Sequence, residues 1–323
     1  MHEAGSPRWT VQPIRGSDLV QLKQLFYQYP YKNYQLKQLQ ISKQEMVDFL
    51  ARGALDEHTP GFCLWEGEQL AAFISVKSLP WLSAHFEARI CNIQHFLGSQ
   101  KNRYHYETLV EHVLSQVQEK DLWTCRVASG DILAVHALEG SGFRFVGSEV
   151  YLVKPLENVS LTEDYIHSGC EPCPKERLLE VLDIMDNNHF HNRYMYDPRI
   201  PSDRANDIYK EFLSTSAYEK DYRLLIKCSG TEIDGFILYK FNATLSEAMG
   251  RKYASLDFIA VKGERKNAGV GVALNKGAIN DLVREGVSHV VVRTLASNYP
   301  AIRICQKIGF QLTSTDLHFH RWV

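Results

Sequence analysis

The sequence has almost no excess charge of either sign: 36 lysines and arginines stand against 38 aspartates and glutamates, for a formal net charge of -2. That excludes the broad basic footprint of a DNA- or RNA-binding protein, while leaving room for a local basic pocket. No apolar run approaches the ~18–20 residues of a membrane-spanning helix. The opening residues MHEAGSP lack the apolar stretch of a secretory leader. A cytoplasmic protein without nucleic-acid or membrane partners is therefore expected.

Disulfide and metal chemistry are equally thin. The seven cysteines (63, 91, 125, 170, 173, 228 and 305) are odd in number and scattered through apolar segments, as free thiols in a reducing compartment would be. Cys170 and Cys173 have metal-ligand spacing, with His167 just upstream. A structural zinc site needs four ligands, and no second pair completes one, so no metal is expected.

What is present is an ordinary globular composition, 45% hydrophobic and 23% charged over 323 residues, a length for roughly two domains. The chain is written twice. Residues 62–76 and 223–239 both read as two short strands around a Gly turn. Residues 127–143 and 295–310 both read as a strand end, Ala-Ser, a short helix and Gly-Phe opening a last strand, at 145–153 and 310–323. The offset is domain-sized, and the seam falls near Pro155. The expectation is two mixed α/β domains, 1–157 and 158–323.

The most informative stretch is LDFIAVKGERKNAGVG, residues 256–271. A strand over 255–261 ends in a polar loop, and Lys266-Asn267-Ala268-Gly269-Val270-Gly271 leads into a helix over 271–284. Val270, Leu274, Ala278 and Leu282 lie on one helical face. Successive N–H groups at a Gly-rich helix start form an anion site. A P-loop is excluded because no Gly-Lys-Ser/Thr follows, and a dinucleotide fingerprint because the glycines lie too far beyond the strand. A strand over 289–294 follows. Then comes a short helix near Tyr299-Pro300 with Asn298 as its N-cap.

This succession of strand, basic-x-x-Gly-x-Gly loop, helix, strand, Asn and a helix ending in Lys-Ile-Gly309-Phe310 resembles the Gcn5-related N-acetyltransferase (GNAT) superfamily. The resemblance covers essentially residues 160–323. It implies an α/β fold of two tandem GNAT-like domains, each a mixed, mainly antiparallel central sheet flanked by helices. It also implies acetyl-CoA as acyl donor, with no metal. The family signature has Arg or Gln where Lys266 stands, so the charge beside the diphosphate is kept but not a guanidinium's fork. By the same resemblance Phe258, Ile259, Ala260, Val261, Lys266, Asn267, Ala268, Gly269, Val270, Gly271, Val272, Asn298 and Arg303 would bind the cofactor.

A narrower resemblance is to the dTDP-fucosamine acetyltransferase family, which N-acetylates dTDP-4-amino-4,6-dideoxy-galactose. It rests on LPWLSAHF at 79–86, NRYMYDPR at 192–199 and FNAT at 241–244 in that order, before the glycine loop. It implies a nucleotide-sugar substrate, with Arg193, Tyr194 and Asp197 binding the acceptor, and a monomer or homodimer. His189 and His191 beside this segment read as polar loop. Between the first half's central strand, 89–96, and its helix there is no Gly-x-Gly, so one working site, in the second half, is expected.

Direct acyl transfer asks that the amine lose a proton, the thioester carbonyl be polarised and the departing thiolate be protonated. Strict alternation on the central strand puts Leu256, Phe258 and Ala260 on one face and Asp257, Ile259 and Val261 on the other. Asp257 is then either the group that takes the amine's proton or a salt-bridged strand-end residue. The family's Tyr on the helix after the Asn is here Cys305, either a replacement acid or a buried thiol. Two other functions compete: a GNAT enzyme acting on another small amine or peptide, and a non-catalytic acyl-CoA sensor.

Overall fold

The computed structural model describes residues 9–99, 102–115, 121–157, 159, 161, 163–186, 188 and 190–323. His189, together with Gln100 and Lys101 of the first half's loop, lies outside the described residues, as does the opening segment 1–8. In chain order the elements are β1 (Trp9–Pro13), α1 (Leu19–Gln28), α2 (Asn33–Gln38), α3 (Lys43–Gly53), β2 (Gly61–Glu66), β3 (Gln69–Ser78), α4 (Pro80–Phe86), β4 (Arg89–Gly98), α5 (Arg103–Leu114), β5 (Asp121–Ala128), α6 (Ile132–Gly140) and β6 (Arg144–Pro155). They continue with α7 (Glu163–Ile166), β7 (Cys170–Pro172), α8 (Leu178–Asp186), α9 (Ser202–Ser216), β8 (Tyr222–Ser229), β9 (Glu232–Phe241), α10 (Ala243–Met249), β10 (Tyr253–Val261), α11 (Val270–Arg284), β11 (His289–Leu295), α12 (Tyr299–Lys307) and β12 (Gln311–Trp322).

The chain divides into two compact units. The first takes Met1–Leu36, Ile41–Ser148 and Thr315–Val323, and the second takes Lys37–Gln40 and Glu149–Ser314. Each has a six-strand sheet of the same design, in the order β1-β2-β3-β4-β5-β12 in the first and β7-β8-β9-β10-β11-β6 in the second. β4·β5 and β10·β11 pair in parallel, and the neighbours around them pair antiparallel. The duplication read from sequence is thus a duplicated strand order.

The closing strands differ from expectation. Each half was expected to end on its own last strand, near 145–153 and 310–323. Instead Glu149–Pro155 of β6 pairs with Leu295–His289 of β11, and Asp316–Trp322 of β12 pairs with Ala128–Leu122 of β5. Each unit is closed by the other half's strand, so a cut at 157 does not separate them. Both strands carry alternating apolar residues, and both receiving edges are unpaired strands of the same kind. Periodicity gives a strand's faces but not which edge it joins.

Each sheet is covered on both faces. In the first unit α1 and α3 pack over Leu22, Phe26, Val47 and Phe73, and α5 and α6 over Ile74, Leu109, Val110 and Leu138. In the second, α8 and α9 cover Ile184, Leu213, Phe236 and Leu238. On its opposite face α11 and α12 cover Leu152, Ile237, Val290 and Ile308. The expected stripe of α11 is buried at all four positions: Val270 5%, and Leu274, Ala278 and Leu282 0% exposed. Burying the two leucines alone stabilises the unit by roughly 1.5–3 kcal/mol each. Gly277 on this helix lies against Cys170, whose Sγ would stand 3.0 Å from an added Cβ. That contact and the donation of Cys170 Sγ to Ala273 O at 3.5 Å give this cysteine a packing role. Among the described residues no group of three or more His, Cys, Asp or Glu side chains is placed to hold a metal ion, and no helix is long and apolar enough to cross a membrane.

Candidate active site

β10 and β11 pair only from Tyr253↔His289 to Leu256↔Val292. Beyond that point β11 stays with β6 as far as Leu295↔Glu149, and β10 stays with β9 as far as Val261↔Gly235. The two central strands therefore part, and the peptide groups of 257–261 on that side lose their ladder partner. Exposed strand peptides in such a gap can bind a ligand's amides and carbonyl.

The parting begins at a β-bulge. The register of β10 against β9 jumps from Leu256↔Tyr239 to Phe258↔Leu238, leaving Asp257 as the extra residue. This corrects the strict alternation read from sequence. Leu256, Ile259 and Val261 pack toward α11 and α12, whereas Phe258 and Ala260 pack toward α8 and α9. Asp257 shares the second face, beside Arg293, Lys240 and Tyr222. There Phe258 sits in an aromatic cluster, with ring centroids 4.9 Å from Phe190 and 5.0 Å from Tyr209.

Asp257 and Arg293 occupy neighbouring register positions on the two parting strands. Both are open to solvent and yet enclosed by protein on most sides, as groups on the floor of a cleft are. Burial pushes the Asp257 carboxyl above its usual range, and the Ser255 hydroxyl, Arg293 and Lys240 oppose the rise. Ser255 Oγ donates to Asp257 Oδ1. Arg293 is in turn paired with Glu149 of β6, Nε to Oε2 at 3.5 Å, and Glu149 also meets Arg193 at 3.8 Å. The Tyr209 phenol, near Arg193, Glu149 and Arg293, is pushed up to about 12 by burial.

The glycine loop lies at the far end of β10. Gly263–Arg265 forms a 3-10 turn, Asn267 and Gly269 take left-handed φ of +67° and +81°, and residues 266–269 are exposed. Gly269 is the N-cap of α11 and offers no side chain to its first turn. Ala273 N is the first helix amide to find a carbonyl, donating to Gly269 O. Among the described residues the amides of Asn267, Gly269, Val270, Gly271 and Val272 donate to nothing. Such a row of aligned donors at a helix start is suited to a diphosphate. Two loop cations are already engaged, Arg265 with Asp234 at 3.0 Å and Lys262 with Glu232 at 3.5 Å. Lys266 forms no ion pair among the described residues and supplies the positive charge beside those amides.

The remaining candidates separate into two groups. Asn298 caps α12: its Oδ1 accepts from Ala301 N at 3.4 Å and its Nδ2 donates to Thr294 Oγ1 at 3.0 Å. Arg303 is exposed on the same helix. Cys305 is 3% exposed, packed with Ile308 and Phe310 in the core under α11 and α12. Burial pushes its thiol up to about 11. The structure places Cys305 in the setting of the buried-thiol alternative.

Tyr194 and Asp197, expected as acceptor contacts, are both engaged within the protein. Tyr194 is buried, its hydroxyl accepting from Arg193 NH2 at 2.8 Å and its ring lying 4.5 Å beneath that guanidinium. Asp197 is buried in the turn before α9, accepting from Arg199 N at 3.1 Å. The local cause is Asn192, whose Oδ1 caps the 3-10 turn at Tyr194 N and whose Nδ2 donates to Ala205 O at 2.7 Å. Of the three, Arg193 is the one brought to the cleft. Sequence reading missed Glu149, Lys240, Tyr209 and Arg293. A charged residue in the apolar run HVVVRTL was the available signal for Arg293. Glu149 had none, because its strand reads as part of the other half.

The first unit has the same parting of strands but fills it. β4 and β5 pair from Arg89↔Asp121 to Ile93↔Cys125 and then separate. A Cβ on Gly98 would lie 2.4 Å from the ring of Tyr106, which is fully buried against Phe96. Tyr106 lies beside Asp131, the counterpart of Asn298, and Tyr29 donates to Asp131 Oδ2 at 3.0 Å. The helix that follows is capped by its own side chain, Asn102 Oδ1 accepting from Tyr104 N. Aromatic rings and a self-capped helix occupy what the second unit leaves open.

Comparison with known proteins agrees with this division. Residues 183–310 match the acetyltransferase (GNAT) family. The spore coat polysaccharide biosynthesis protein SpsD of Bacillus subtilis (strain 168) is 22% identical over 288 residues, covering 87% of this chain and 96% of its own. The crystal structure of a GCN5-related N-acetyltransferase from Sphaerobacter thermophilus superposes with a TM-score of 0.58 at 13% identity, covering 98% of this chain and 96% of its own. A tandem GNAT protein from the clavulanic acid biosynthesis pathway gives 0.51 at 12% identity, covering 97% and 98%. At these identities the structural likeness speaks to fold, and it supports two GNAT-like units in tandem. The glycine loop, the parted strands and the uncapped α11 all lie inside the segment 183–310 that matches the acetyltransferase (GNAT) family, and an N-acyltransferase is the activity that match supports.

Proposed function

We propose that the second unit transfers the acetyl group of acetyl-CoA directly to the amine of a nucleotide-linked amino sugar of the dTDP-4-amino-4,6-dideoxyhexose type. The carrying observation is the set of unpartnered amides at Asn267 and Gly269–Val272 beside Lys266, at the mouth of the gap between β10 and β11. Those amides and Lys266 would hold the diphosphate of CoA, and the unpaired β10 peptides at 258–261 would hold its acyl arm. Bound there, acetyl-CoA supplies a thioester as the activated acyl group.

The chain's own residues then have separate tasks. Asp257, open to solvent on the cleft floor, binds the ammonium and takes its proton. A carboxyl raised by burial is a better base than an ordinary one, and the Ser255 hydroxyl and the Arg293 and Lys240 cations favour its ionised form. Backbone N–H groups of β10 polarise the thioester carbonyl. With Cys305 in the core, the leaving thiolate takes its proton from solvent. On the acceptor side Arg193 presents its guanidinium group to the sugar's diphosphate. The name of SpsD, a polysaccharide biosynthesis protein, supports a sugar acceptor.

The test is thiol release from acetyl-CoA with dTDP-linked 4-amino sugars against polyamines, aminoglycosides and peptide amines. A dTDP-amino sugar is expected to exceed every other amine by about 100-fold or more in kcat/KM, the worth of one or two charge-assisted contacts. Equal rates with simple amines would overturn the acceptor. CoA binding without thiol release from any amine would overturn the enzyme reading.

A further inference from the structure

We infer that Arg293 is the positioning residue for Asp257: oriented from behind by Glu149 and Tyr151, it fixes the charge and setting of the carboxylate that receives the amine's proton. This rests on the catalytic reading above. The argument begins with register. Leu256 and Val292 are the last paired residues of β10 and β11, so Asp257 and Arg293 are the first residues beyond the pairing and share one sheet face. Alternation from Leu256 turns Asp257 away from α11, and the bulge brings Phe258 onto that same face beside it.

Arg293 is held independently of Asp257. Its Nε lies 3.5 Å from Glu149, a residue only 9% exposed, and Tyr151 bonds its guanidinium. Both anchors stand on β6, at register positions paired with Leu295 and Arg293. No direct ion pair joins Arg293 to Asp257 among the described residues. The guanidinium therefore acts through space, across a gap that a substrate must enter. Among the described residues the polar and charged groups facing Asp257 are Ser255 on β10 itself, Lys240 on β9, Tyr222 on β8 and Arg293 on β11. Lys240 is partly occupied, its Nζ lying 4.9 Å over the Tyr222 ring. Arg293 is the cation standing on the gap itself.

The test exploits two substitutions with opposite signs. In Arg293→Gln the Asp257 carboxyl loses its nearest gap-side cation, so its titration midpoint rises. In Glu149→Gln the anion that offsets Arg293 is removed with little change of shape, so the midpoint falls. The midpoint is read directly by carbon-13 NMR of aspartate-labelled protein, with the Asp257 signal assigned by its loss in Asp257→Asn. The same effect appears in kcat/KM. The ratio of Arg293→Gln to wild type is expected to be lower at pH 6 than at pH 8.5, because the acid limb moves up when the cation is lost. Arg293→Lys is expected to restore most of that difference.

A folded Arg293→Gln protein with an unmoved Asp257 midpoint would overturn the inference, as would midpoints that move the same way in both variants. Should Arg293→Gln fail to fold, the Glu149→Gln shift alone decides. NMR shifts as expected, with no turnover of any amine, would leave this coupling standing and overturn the proposed function instead.

Discussion

Replacing Gly269 by alanine separates the cost to the fold from the cost to the ligand. Gly269 has φ +81° and caps α11, a conformation that costs an L-residue with a side chain roughly 1–2 kcal/mol. An added Cβ meets no protein atom within 4 Å, so no clash adds to that strain. The free protein should lose about 2–6 °C in Tm. The methyl instead enters the space over the first-turn amides. If a diphosphate rests there, displacing it weakens at least one charge-assisted hydrogen bond of about 1.5–3 kcal/mol, or roughly 10–100-fold in Kd. Calorimetric titration with CoA and a thermal melt of the same sample measure the two effects. Gly263→Ala is the control, because its Cβ also meets open space but lies before the helix start. Gly269→Asn sharpens the case, since asparagine tolerates the left-handed region and should recover Tm while binding CoA no better than alanine. A Gly269→Ala protein that binds CoA within threefold of wild type, with its Tm lowered as expected, would refute the assignment of the diphosphate to these amides.

Further expectations follow from the same structure. CoA should bind at one equivalent per chain, because Tyr106 and Tyr29 fill the first unit's gap; two equivalents by calorimetry would contradict that. Asp257→Asn should lower kcat by about 10²–10⁴-fold with CoA affinity unchanged, checked by steady-state kinetics beside CoA titration. Cys305→Ala should cost about 1–2 kcal/mol of stability in urea and leave kcat within about threefold, as befits a buried packing residue; a kcat loss of tenfold or more would restore it as an acid. Asp131→Asn concerns a carboxyl that burial holds above its usual range. A folded value above the unfolded one makes ionisation a cost that grows as pH rises from about 4 and is complete above the folded value. The amide keeps an oxygen to cap Ala134 N, at 3.1 Å in the native protein. Melts should therefore show the variant gaining on wild type from pH 4 to pH 8; a steady loss across that range would sink the argument.

Much of the second unit was legible before any coordinates. The α11 stripe Val270–Leu274–Ala278–Leu282, the caps at Asn298 and Gly269 and both hairpins are local in sequence, and their periods and turn residues determine them. The loop's local geometry was also readable, because a glycine-rich helix start without a capping side chain is written in consecutive residues. The resemblance to the GNAT family added the order of those pieces, and the narrower resemblance drew attention to 192–199. Of its three residues, Arg193 meets Glu149, while Tyr194 and Asp197 are buried in the local turn.

Three matters were settled only by tertiary structure. One residue of bulge at Asp257 reversed the faces of everything after it on β10, because side chains alternate with period two and a single extra residue inverts the count. The exchange of β6 and β12 brought Glu149 behind Arg293 from a strand that reads as part of the other half. The burial of Cys305 depended on which way α12 faces. Sequence carries what neighbours along the chain impose, namely periodicity, caps, turns and the glycines a left-handed residue requires. It carries much less of which edge a strand joins or which charges meet across a gap, since those are decided by pairings between residues distant in the chain.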